Sequence, residues 1–452
     1  MMKRALKFYL LNLGCPKNEV DGQSLEYHLR NAGCLPSEPE KAGILIVNSC
    51  GFIDDAKRES IDEILRLAEC KHDSAILAVT GCLSQRYREE LKEEIPEVDY
   101  LFGISSPAEI AEVLLTGNAE NIDCTFEIEG GYQVGEGRYI DPKSHYAYMK
   151  IADGCDNHCS YCAIPSIRGQ YRSRPLDDIE KEADFLLSKG VRELILVAQE
   201  TTRYGQEFED KSLNLEFLIR ELISDKRLGW LRLLYAHPAR VTDSLLETIA
   251  NNKQVCSYLD LPLQHISDKM LRKMNRGVTS ADIKLLVSRI KNNFPDIALR
   301  TTFIVGYPGE TDEDFEQLAE FVDQVQFDSL GCFLYSEEEG TASAKATGKV
   351  DREIAQERLE QLMLIQSTIV EDRNRQLVGK VKPVIVDSYE SEYNAYLCRL
   401  ERQSPEIDGY VVLQSGDRNP KVGSIVNVRI TDFDMYDLKA KIEDNSGLRK
   451  VG

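Results

Sequence analysis

Short apolar runs alternate with helical patterns along most of this chain, and this alternation limits the fold more than any other feature. Apolar runs separated by amphipathic segments are typical of βαβ units, whose parallel strands are covered by helices. The middle of the chain has six such runs: HYAYMKIAD, ELILVAQ, WLRLLYA, YLDLPL, ALRTTFIVG and SLGCFLY. Six repeats are too few for a closed eight-stranded barrel, so we expect an open, partial (β/α)6 barrel over residues 141–375.

Two further units flank this central one, so the chain is placed in the α/β class with three domains. The runs KFYLLNLG, ILIVNSC, AILAVTGC and VDYLFG alternate with helical segments, which predicts an N-terminal parallel α/β sheet domain over residues 1–117. The polar, glycine-rich residues 118–140 are typical of a linker. Residues 376–446 contain short alternating runs separated by turn residues, which predicts a small all-β barrel.

Length and charge narrow the choice of partner and compartment. A chain of 452 residues exceeds one ordinary hydrophobic core. Its net charge of −21 does not favour a general nucleic-acid binder; it suits a basic partner, or serves only solubility. No apolar run reaches the ~18 residues that span a bilayer, and the N-terminal stretch runs directly into a strand rather than forming a signal peptide. We therefore expect a cytoplasmic protein without a membrane anchor, whose twelve cysteines serve as thiols or metal ligands.

A compact set of three cysteines follows the first strand of the central series. Cys155, Cys159 and Cys162 have C-x₃-C-x₂-C spacing. Four thiolates close a structural zinc site, whereas three can hold a 4Fe–4S cluster and leave one iron without a protein ligand. The alternatives are a zinc site completed by His158 or a distant ligand, and three unrelated buried thiols. Tight spacing on a loop at a strand end favours the iron–sulfur cluster.

A second set of three cysteines is dispersed in the sequence but has a common placement. Cys15, Cys50 and Cys82 each fall at the C-terminal end of a predicted parallel strand. Because these ends converge on one edge of a sheet, where ligands bind, the three thiols could meet in space. Two of them directly follow a glycine, which allows a close approach of the backbone. The alternative is three inert buried thiols, since cysteine is among the most buried residue types.

The C-x₃-C-x₂-C motif in a six-repeat α/β unit resembles the radical S-adenosylmethionine (SAM) superfamily. There the open iron binds SAM, and the reduced cluster splits it into methionine and a 5′-deoxyadenosyl radical. The resemblance makes Tyr161, just before the last cysteine, a candidate SAM contact. It also points to Gln199 and Glu200, which follow the second strand. Gly306 in FIVGYPGET is a further candidate, with an ordinary strand-to-helix turn as the alternative.

All three domains together, with both sets of cysteines, resemble the methylthiotransferase family over nearly the whole chain. The resemblance implies that Cys15, Cys50 and Cys82 hold a second 4Fe–4S cluster with an open iron and that the C-terminal barrel is a TRAM domain. It further implies that one SAM methylates a sulfur species at this first cluster. A second SAM then supplies the radical that removes the substrate hydrogen, with electrons from a donor such as flavodoxin or ferredoxin.

Two stretches resemble the branch of this family that modifies the β-carbon of an aspartate in small-subunit ribosomal protein twelve. They are QETTRYG and YLDLPLQHISDKMLRKMNRG. Acidic and basic residues nearly balance beyond Gln376, whereas a barrel that grips tRNA should be clearly basic. The acidic chain suits a basic ribosomal protein or the ribosomal subunit. The alternatives are a tRNA adenosine methylthiotransferase and a non-enzymatic, metal-stabilised RNA- or ribosome-binding protein.

Overall fold

The computed structural model describes residues 6–117, 123–124, 137–416 and 419–443. The first unit is a parallel sheet with helices on both faces. Its strands are β1 (Lys7–Asn12), β2 (Leu35–Pro36), β3 (Ile44–Ser49), β4 (Ile76–Gly81), β5 (Tyr100–Phe102) and β6 (Asp123–Cys124). Its helices are α1 (Pro16–Asn31), α2 (Asp54–Cys70), α3 (Cys82–Arg86), α4 (Arg88–Glu94) and α5 (Pro107–Thr116). The strand order is β2-β1-β3-β4-β5-β6, so β1, β3 and β4 are neighbours.

The central strand β3 is apolar because helices cover it on both faces. Leu45 and Val47 pack with side chains of α2 and α4, while Ile44 and Ile46 pack with side chains of α1 and α5. A strand without a solvent-exposed face has a continuous apolar run, and this is the pattern that the sequence shows.

The sheet differs from the sequence expectation in its edges and helix bounds. Four strands were expected and six are present; the additional β2 and β6 have only two residues each, too few for a periodic pattern. The first of the expected helical segments begins at Pro16, because Cys15 is its N-cap. The single charged helix expected after the third strand is divided at Tyr87 into α3 and α4.

The expected linker is only partly within the described residues. Residues 118–122 and 125–136 lie outside them, and residues 123–124 form β6. The end of this stretch is packed rather than exposed: Arg138 is buried and donates hydrogen bonds to Glu182 and to the carbonyl of Tyr148, at 2.6 Å each.

The second unit is the open barrel expected from the six repeats. Its strands are β7 (Tyr146–Lys150), β8 (Ala152–Asp153), β9 (Arg172–Ser173), β10 (Glu193–Val197), β11 (Trp230–Leu233), β12 (Tyr258–Asp260), β13 (Ala298–Val305) and β14 (Ser329–Leu334). Its helices are α6 (Ile164–Arg168), α7 (Leu176–Ser188), α8 (Leu215–Ile223), α9 (Asp243–Asn251), α10 (Asp268–Lys273), α11 (Ser280–Asn293), α12 (Asp312–Val325) and α13 (Arg352–Leu377).

Six parallel strands of this unit follow one another in chain order. They form two three-stranded sheets, β7-β10-β11 and β12-β13-β14, which are joined by a bridge between Leu231 and Val255. No pairing joins β14 to β7 within the described part of the chain, so the barrel is open on that side.

Along the barrel strands, residues alternate between the outer face, covered by helices, and the inner face of the barrel. Leu194 and Leu196 of β10 belong to the large core beneath the outer helices. With a side-chain period of two, Ile195 points to the inner face instead. There it packs with Val20 of α1 and with Ile385 of the third unit. Both flanking units therefore seal the inner face of the open barrel.

The third unit is a small closed barrel of five strands, as expected. The strands are β15 (Val381–Glu390), β16 (Ala395–Leu400), β17 (Val411–Gln414), β18 (Ile425–Asp434) and β19 (Asp437–Ile442). The order is β15-β16-β17-β19-β18, and β18 closes the barrel on β15. Residues 444–446 of the expected unit lie outside the described residues. Among the described helices, none is both long and apolar enough to cross a membrane.

Candidate active site

The dispersed cysteines are brought to one edge of the first sheet. Cys15 is the N-cap of α1, which follows β1 in the chain. Cys50 is the residue after β3, and Cys82 is both the residue after β4 and the first residue of α3. Because β1, β3 and β4 are adjacent parallel strands, the three residues lie side by side at their C-terminal ends. We call these three residues the first thiol set.

Gly14 lies close against Cys50 of the first thiol set. Its φ of +88° is in the left-handed region, and an added Cβ would lie 2.7 Å from the Sγ of Cys50. Such a contact would displace Cys50, so glycine is required beside Cys15. The sequence expectation of a glycine-assisted approach therefore has a steric reason at this position.

Two cations lie within the electrostatic reach of the first thiol set. Burial raises the pKa of Cys15, but Lys17 and Arg168 outweigh burial and leave that pKa below its ordinary value. Burial, together with the other two thiols of the set, raises the pKa of Cys50 to about 11. The three sulfurs are thus close enough to influence one another, beside positive charge that favours thiolates.

Arg168 connects the first thiol set to the barrel. It belongs to α6 of the barrel, yet its guanidinium reaches the Sγ of Cys82 at 3.5 Å and the Oδ1 of Asn18 at 2.6 Å. The same guanidinium holds both carboxylate oxygens of Asp153, at 3.1 and 3.2 Å. Arg168 is only 2% exposed, so these contacts fix the two units together without competition from water.

The compact cysteines follow Asp153 on the next loop, and we call them the second thiol set. Cys155 accepts the backbone N–H of Asn157 at 3.4 Å. Cys159 accepts the Nη1 of Arg276 at 3.3 Å, and its carbonyl accepts the N–H of Cys162 at 3.1 Å, which closes a turn. Burial raises the pKa of Cys155, and raises the pKa of Cys162 to about 12.

Both sets have the donor chemistry of an iron–sulfur cluster. Thiolates are the usual ligands of such clusters, and each sulfur of a set would bind a separate iron. Hydrogen bonds to the sulfurs from Arg168, Arg276 and Asn157 are the kind that tunes a cluster. Among the residues with described positions, no group of three or more His, Cys, Asp or Glu side chains is arranged to hold a metal ion. No disulfide joins the described cysteines.

The candidate SAM contacts after the second strand lie beside the second thiol set. Gln199 donates to Asp153 at 2.9 Å, and its Oε1 is buried without a hydrogen-bond partner among the described residues. Glu200 is 2% exposed and already accepts from Arg240 and Asn157. Gln199 therefore has a free acceptor for a ligand, whereas Glu200 is engaged within the protein.

The other two candidates have different neighbours. Tyr161 packs against Met270, Met274 and Tyr307. Gly306 donates its N–H to Glu310 at 2.6 Å, and an added Cβ would lie 2.5 Å from the Cβ of Ala355 on α13. Its φ of +76° and this packing explain the glycine without a ligand.

Several buried polar atoms near the strand ends lack partners. Besides Gln199, these include the Oε1 of Gln264 and the Nε of Arg276, within the described residues. Gln264 also has a φ of +72°, a strained conformation of the kind found at functional sites. Buried polar atoms are normally paired, so these atoms fit a polar ligand such as SAM.

Sequence analysis did not single out the charged residues that hold the site together. Arg168 and Asp153 lie within twenty residues of the second thiol set, and buried charge next to a cysteine motif is the signal that could have identified them. Arg276 and Arg240 are distant in sequence, and no local pattern marks them.

Three family models match successive parts of the chain. They are the uncharacterized protein family UPF0004 over residues 7–103, the Radical SAM superfamily over residues 149–322 and the TRAM domain over residues 378–442. These matches confirm the radical-SAM and TRAM folds that the sequence led us to expect.

Similar curated proteins cover nearly the whole chain. The ribosomal protein uS12 methylthiotransferases RimO of Geotalea uraniireducens and Geobacter sulfurreducens are each 45% identical over 442 residues, which span 96% of this chain and 98% of the relative. RimO of Clostridium tetani is 40% identical over 446 residues, 98% of this chain and 99% of the relative.

Solved structures share the fold at low identity. The radical SAM methyltransferase TsrM from Kitasatospora setae, with cobalamin and a [4Fe-4S] cluster bound, has a TM-score of 0.53 and 16% identity, covering 75% of this chain and 77% of its own. The cobalamin-dependent SAM radical enzyme OxsB has a TM-score of 0.52 and 13% identity, covering 81% of this chain and 58% of its own. At these identities the likeness concerns the fold alone.

Proposed function

Because this chain belongs to the family of ribosomal protein uS12 methylthiotransferases, we propose that it attaches a methylthio group to the β-carbon of an aspartate in that ribosomal protein. The observation that supports the proposal is that Arg168 contacts Cys82 of the first thiol set and also Asp153, which lies two residues before Cys155 of the second set. A non-enzymatic binding protein would have no need for two such sets.

In this proposal each thiol set holds one 4Fe–4S cluster, and SAM binds beside the second set. The ligands are Cys15, Cys50 and Cys82 for the first cluster and Cys155, Cys159 and Cys162 for the second. When bound, the second cluster and SAM supply the radical chemistry that removes a hydrogen from an unactivated carbon. No acid–base pair of the chain could break such a bond at neutral pH.

The chain's own residues orient the ligand cysteines and SAM. Arg276 and Asn157 donate to the sulfurs of Cys159 and Cys155, which fixes both side chains. The unpartnered Oε1 of Gln199 supports a direct contact with SAM.

The remaining three candidates receive different support. Because Glu200 accepts from Asn157 at 2.5 Å, it would act by holding Asn157 in place. Tyr161 would contact SAM from the cluster loop. Gly306 would support the site indirectly, because its lack of a side chain lets the turn after β13 pack closely against α13.

Charge supports a basic protein substrate over tRNA. The chain has a net charge of −21, and its C-terminal barrel has no excess of basic residues. Each neutralised phosphate of a tRNA would call for a Lys or Arg, whereas an acidic surface attracts a basic ribosomal protein. An electron donor such as flavodoxin or ferredoxin and a cytoplasmic location are part of this proposal.

A substrate assay tests the function. The anaerobically reconstituted protein should carry about eight irons per chain. Incubated with SAM and dithionite, it should add the mass of one SCH₃ in place of H to uS12 and leave tRNA unchanged. Mass spectrometry of both substrates decides the outcome. A gain on tRNA alone would transfer the proposal to the tRNA branch, and zinc in place of iron would favour the binding protein.

A further inference from the structure

Lys17 is a buried cation that lies against an aromatic ring. The residue is 8% exposed, and its Nζ lies 3.7 Å from the centre of the Tyr235 ring. Within the described residues, no Asp or Glu lies at ion-pair distance from it. A buried ammonium is costly unless it is paired, so this arrangement is unusual.

Lys150 shows how the same fold treats a buried lysine that serves structure. Its Nζ lies 2.7 Å from Asp21 and 2.9 Å from Asp153, so two carboxylates compensate its charge. Lys17 has an aromatic ring in that position instead. A cation over a ring face gains about 2 kcal/mol when desolvated. Tyr235 also hydrogen-bonds the ammonium, but a neutral phenol does not compensate its charge.

Lys17 lies where the first unit faces the mouth of the barrel. It follows Cys15 by two residues, and Tyr235 lies two residues after the end of β11. Tyr235 has a φ of +63° and is held there because its N–H donates to Asp260 at 2.9 Å. A strained residue held in this way is common at ligand sites. Asp260 in turn accepts from Arg300 at 2.7 Å, and the Nε of Arg300 lies 4.0 Å from Asp408.

Cys15 is one group that could oppose the charge of Lys17. Lys17 and Cys15 do interact electrostatically. A thiolate that binds iron shares its charge with the metal, and Arg168 already lies beside the same thiol set. The ammonium therefore still lacks a counter-ion of its own when the site is loaded.

We propose that Lys17, held on Tyr235, binds a carboxylate of the reacting molecules and so selects an acidic ligand. This inference rests on the proposed function, which offers two sources of a carboxylate. One is the aspartyl side chain of the protein substrate, and the other is the α-carboxylate of SAM. Either carboxylate would have to lie at the edge that carries the first thiol set. For SAM, this would be the molecule that methylates the sulfur species there, not the one beside the second set.

The test compares binding of matched ligands to the anaerobically reconstituted full chain. Lys17→Met removes the charge at similar volume, Lys17→Arg retains it, and Lys284→Met removes an exposed lysine as the matched control. Fluorescence anisotropy measures a labelled uS12 loop peptide with Asp at the modified position and the same peptide with Asn. Equilibrium dialysis measures SAM and decarboxylated SAM.

Wild type and Lys284→Met should prefer one carboxylate-bearing ligand by about 10-fold or more, the strength of a hydrogen bond to a charged group. Lys17→Met should lose that preference and Lys17→Arg should keep part of it. Loss of the Asp-over-Asn preference assigns the carboxylate to the substrate, and loss of the SAM preference assigns it to SAM. If the Lys17→Met variant retained both the Asp-over-Asn preference and the preference for SAM over decarboxylated SAM, the inference would be overturned.

The wild-type arms keep the test independent of whether a variant folds. A wild-type chain that binds Asp and Asn peptides equally, and SAM and decarboxylated SAM equally, overturns the inference without any substitution. Failure of the proposed function has a different signature, since wild type would then leave uS12 unmodified whatever its binding preferences. Iron content of each variant confirms that the cluster sites are loaded.

Discussion

At the scale of single residues, the site depends on charged side chains that reach across units. Arg168 contacts Cys82, which lies 86 positions earlier in the chain, and Asp153 on its own unit. Lys150 shares Asp153 and Asp21 with it. Removing one member of a buried ionic group leaves its partners uncompensated, and this usually costs about 3–5 kcal/mol.

Arg168→Met should therefore loosen the interface and the first cluster together. We expect a lower thermal midpoint and an iron content that falls from about eight towards about four per chain, since Cys82 loses its hydrogen bond. Arg220→Met is the matched control, because Arg220 is exposed and has no ion pair within the described residues. Full iron content and an unchanged midpoint in Arg168→Met would contradict a joining role.

Single cysteine substitutions should separate the roles of the two thiol sets. Cys159→Ala should abolish 5′-deoxyadenosine formation, because the second set would lose a ligand. Cys50→Ala should leave SAM cleavage partly intact and stop sulfur transfer. Chromatography of the nucleoside and mass spectrometry of uS12 measure the two products, with Cys70→Ala on α2 as a control outside both sets. If the Cys50→Ala variant still inserted methylthio groups repeatedly, the first thiol set would have no role in sulfur delivery.

At the scale of elements, the ends of parallel strands position the chemistry. Adjacent strands β1, β3 and β4 place one cysteine each at the same edge, and the loop after β8 carries the second thiol set. The turn after β13 also follows this rule, but its glycine has a packing reason: Gly306 passes α13 at Ala355.

Gly306→Ala should destabilise the barrel by about 2–4 kcal/mol, from the left-handed backbone together with overpacking. Gly340→Ala is the matched control: its φ of +78° is nearly the same, and nothing lies within 4 Å of an added Cβ. It should show only the backbone part, about 1 kcal/mol. Thermal unfolding measures both variants.

The double variant Gly306→Ala/Ala355→Gly separates packing from ligand binding. It should recover the stability that Gly306→Ala loses beyond the control, because the overlapping methyl group is removed. If SAM binding by equilibrium dialysis remained weak in this stable double variant, Gly306 would have a direct role in binding SAM.

At the scale of the whole molecule, a buried ionic network joins the central barrel to the C-terminal barrel. Glu193 of β10 accepts from Arg232 of β11 at 2.8 Å and from Arg399 of β16 at 2.6 Å. Arg399 also donates to Asp387 of β15 at 2.7 Å, and Asp387 contacts His145. The charged side chains of Glu193, Arg232 and Arg399 are fully buried, so the orientation of the two barrels depends on their pairing.

The docking of the two barrels should weaken in acid. Burial raises the pKa of Glu193, but Arg399 and Arg232 outweigh burial and lower it to about 2 from an ordinary value of 4.5. A lowered pKa stabilises the fold above the unfolded value and loses that contribution as pH falls through the folded value. We therefore expect wild type to lose up to about 3 kcal/mol between pH 4.5 and pH 2.

Glu193→Gln is the comparison for this pH dependence. The variant should be less stable than wild type at pH 7, and the difference should narrow as the pH falls through that range. Urea unfolding of the full chain, followed by circular dichroism, measures both. A difference that stays constant from pH 7 to pH 2 would show that Glu193 does not contribute through its charge.

The sequence predicted the elements far better than the contacts. The run Ile44–Ser49 was recognisable because a strand covered on both faces is continuously apolar. Strand β2 was missed because two residues form no periodic pattern. Glu200 was recognisable as a strand-end polar residue, but its capture by Arg240, forty positions later, depends on how successive loops meet.

The sequence alone determined the order of strands and helices and the placement of each cysteine at a strand end, because side-chain periodicity and turn residues act over a few neighbouring positions. Only the tertiary structure decided that Arg168 reaches Cys82, that Lys17 lies over Tyr235, and that Glu193 joins two barrels. Each of these contacts joins residues far apart in the chain. Their proximity follows from the packing of separately folded units, which local pattern does not encode.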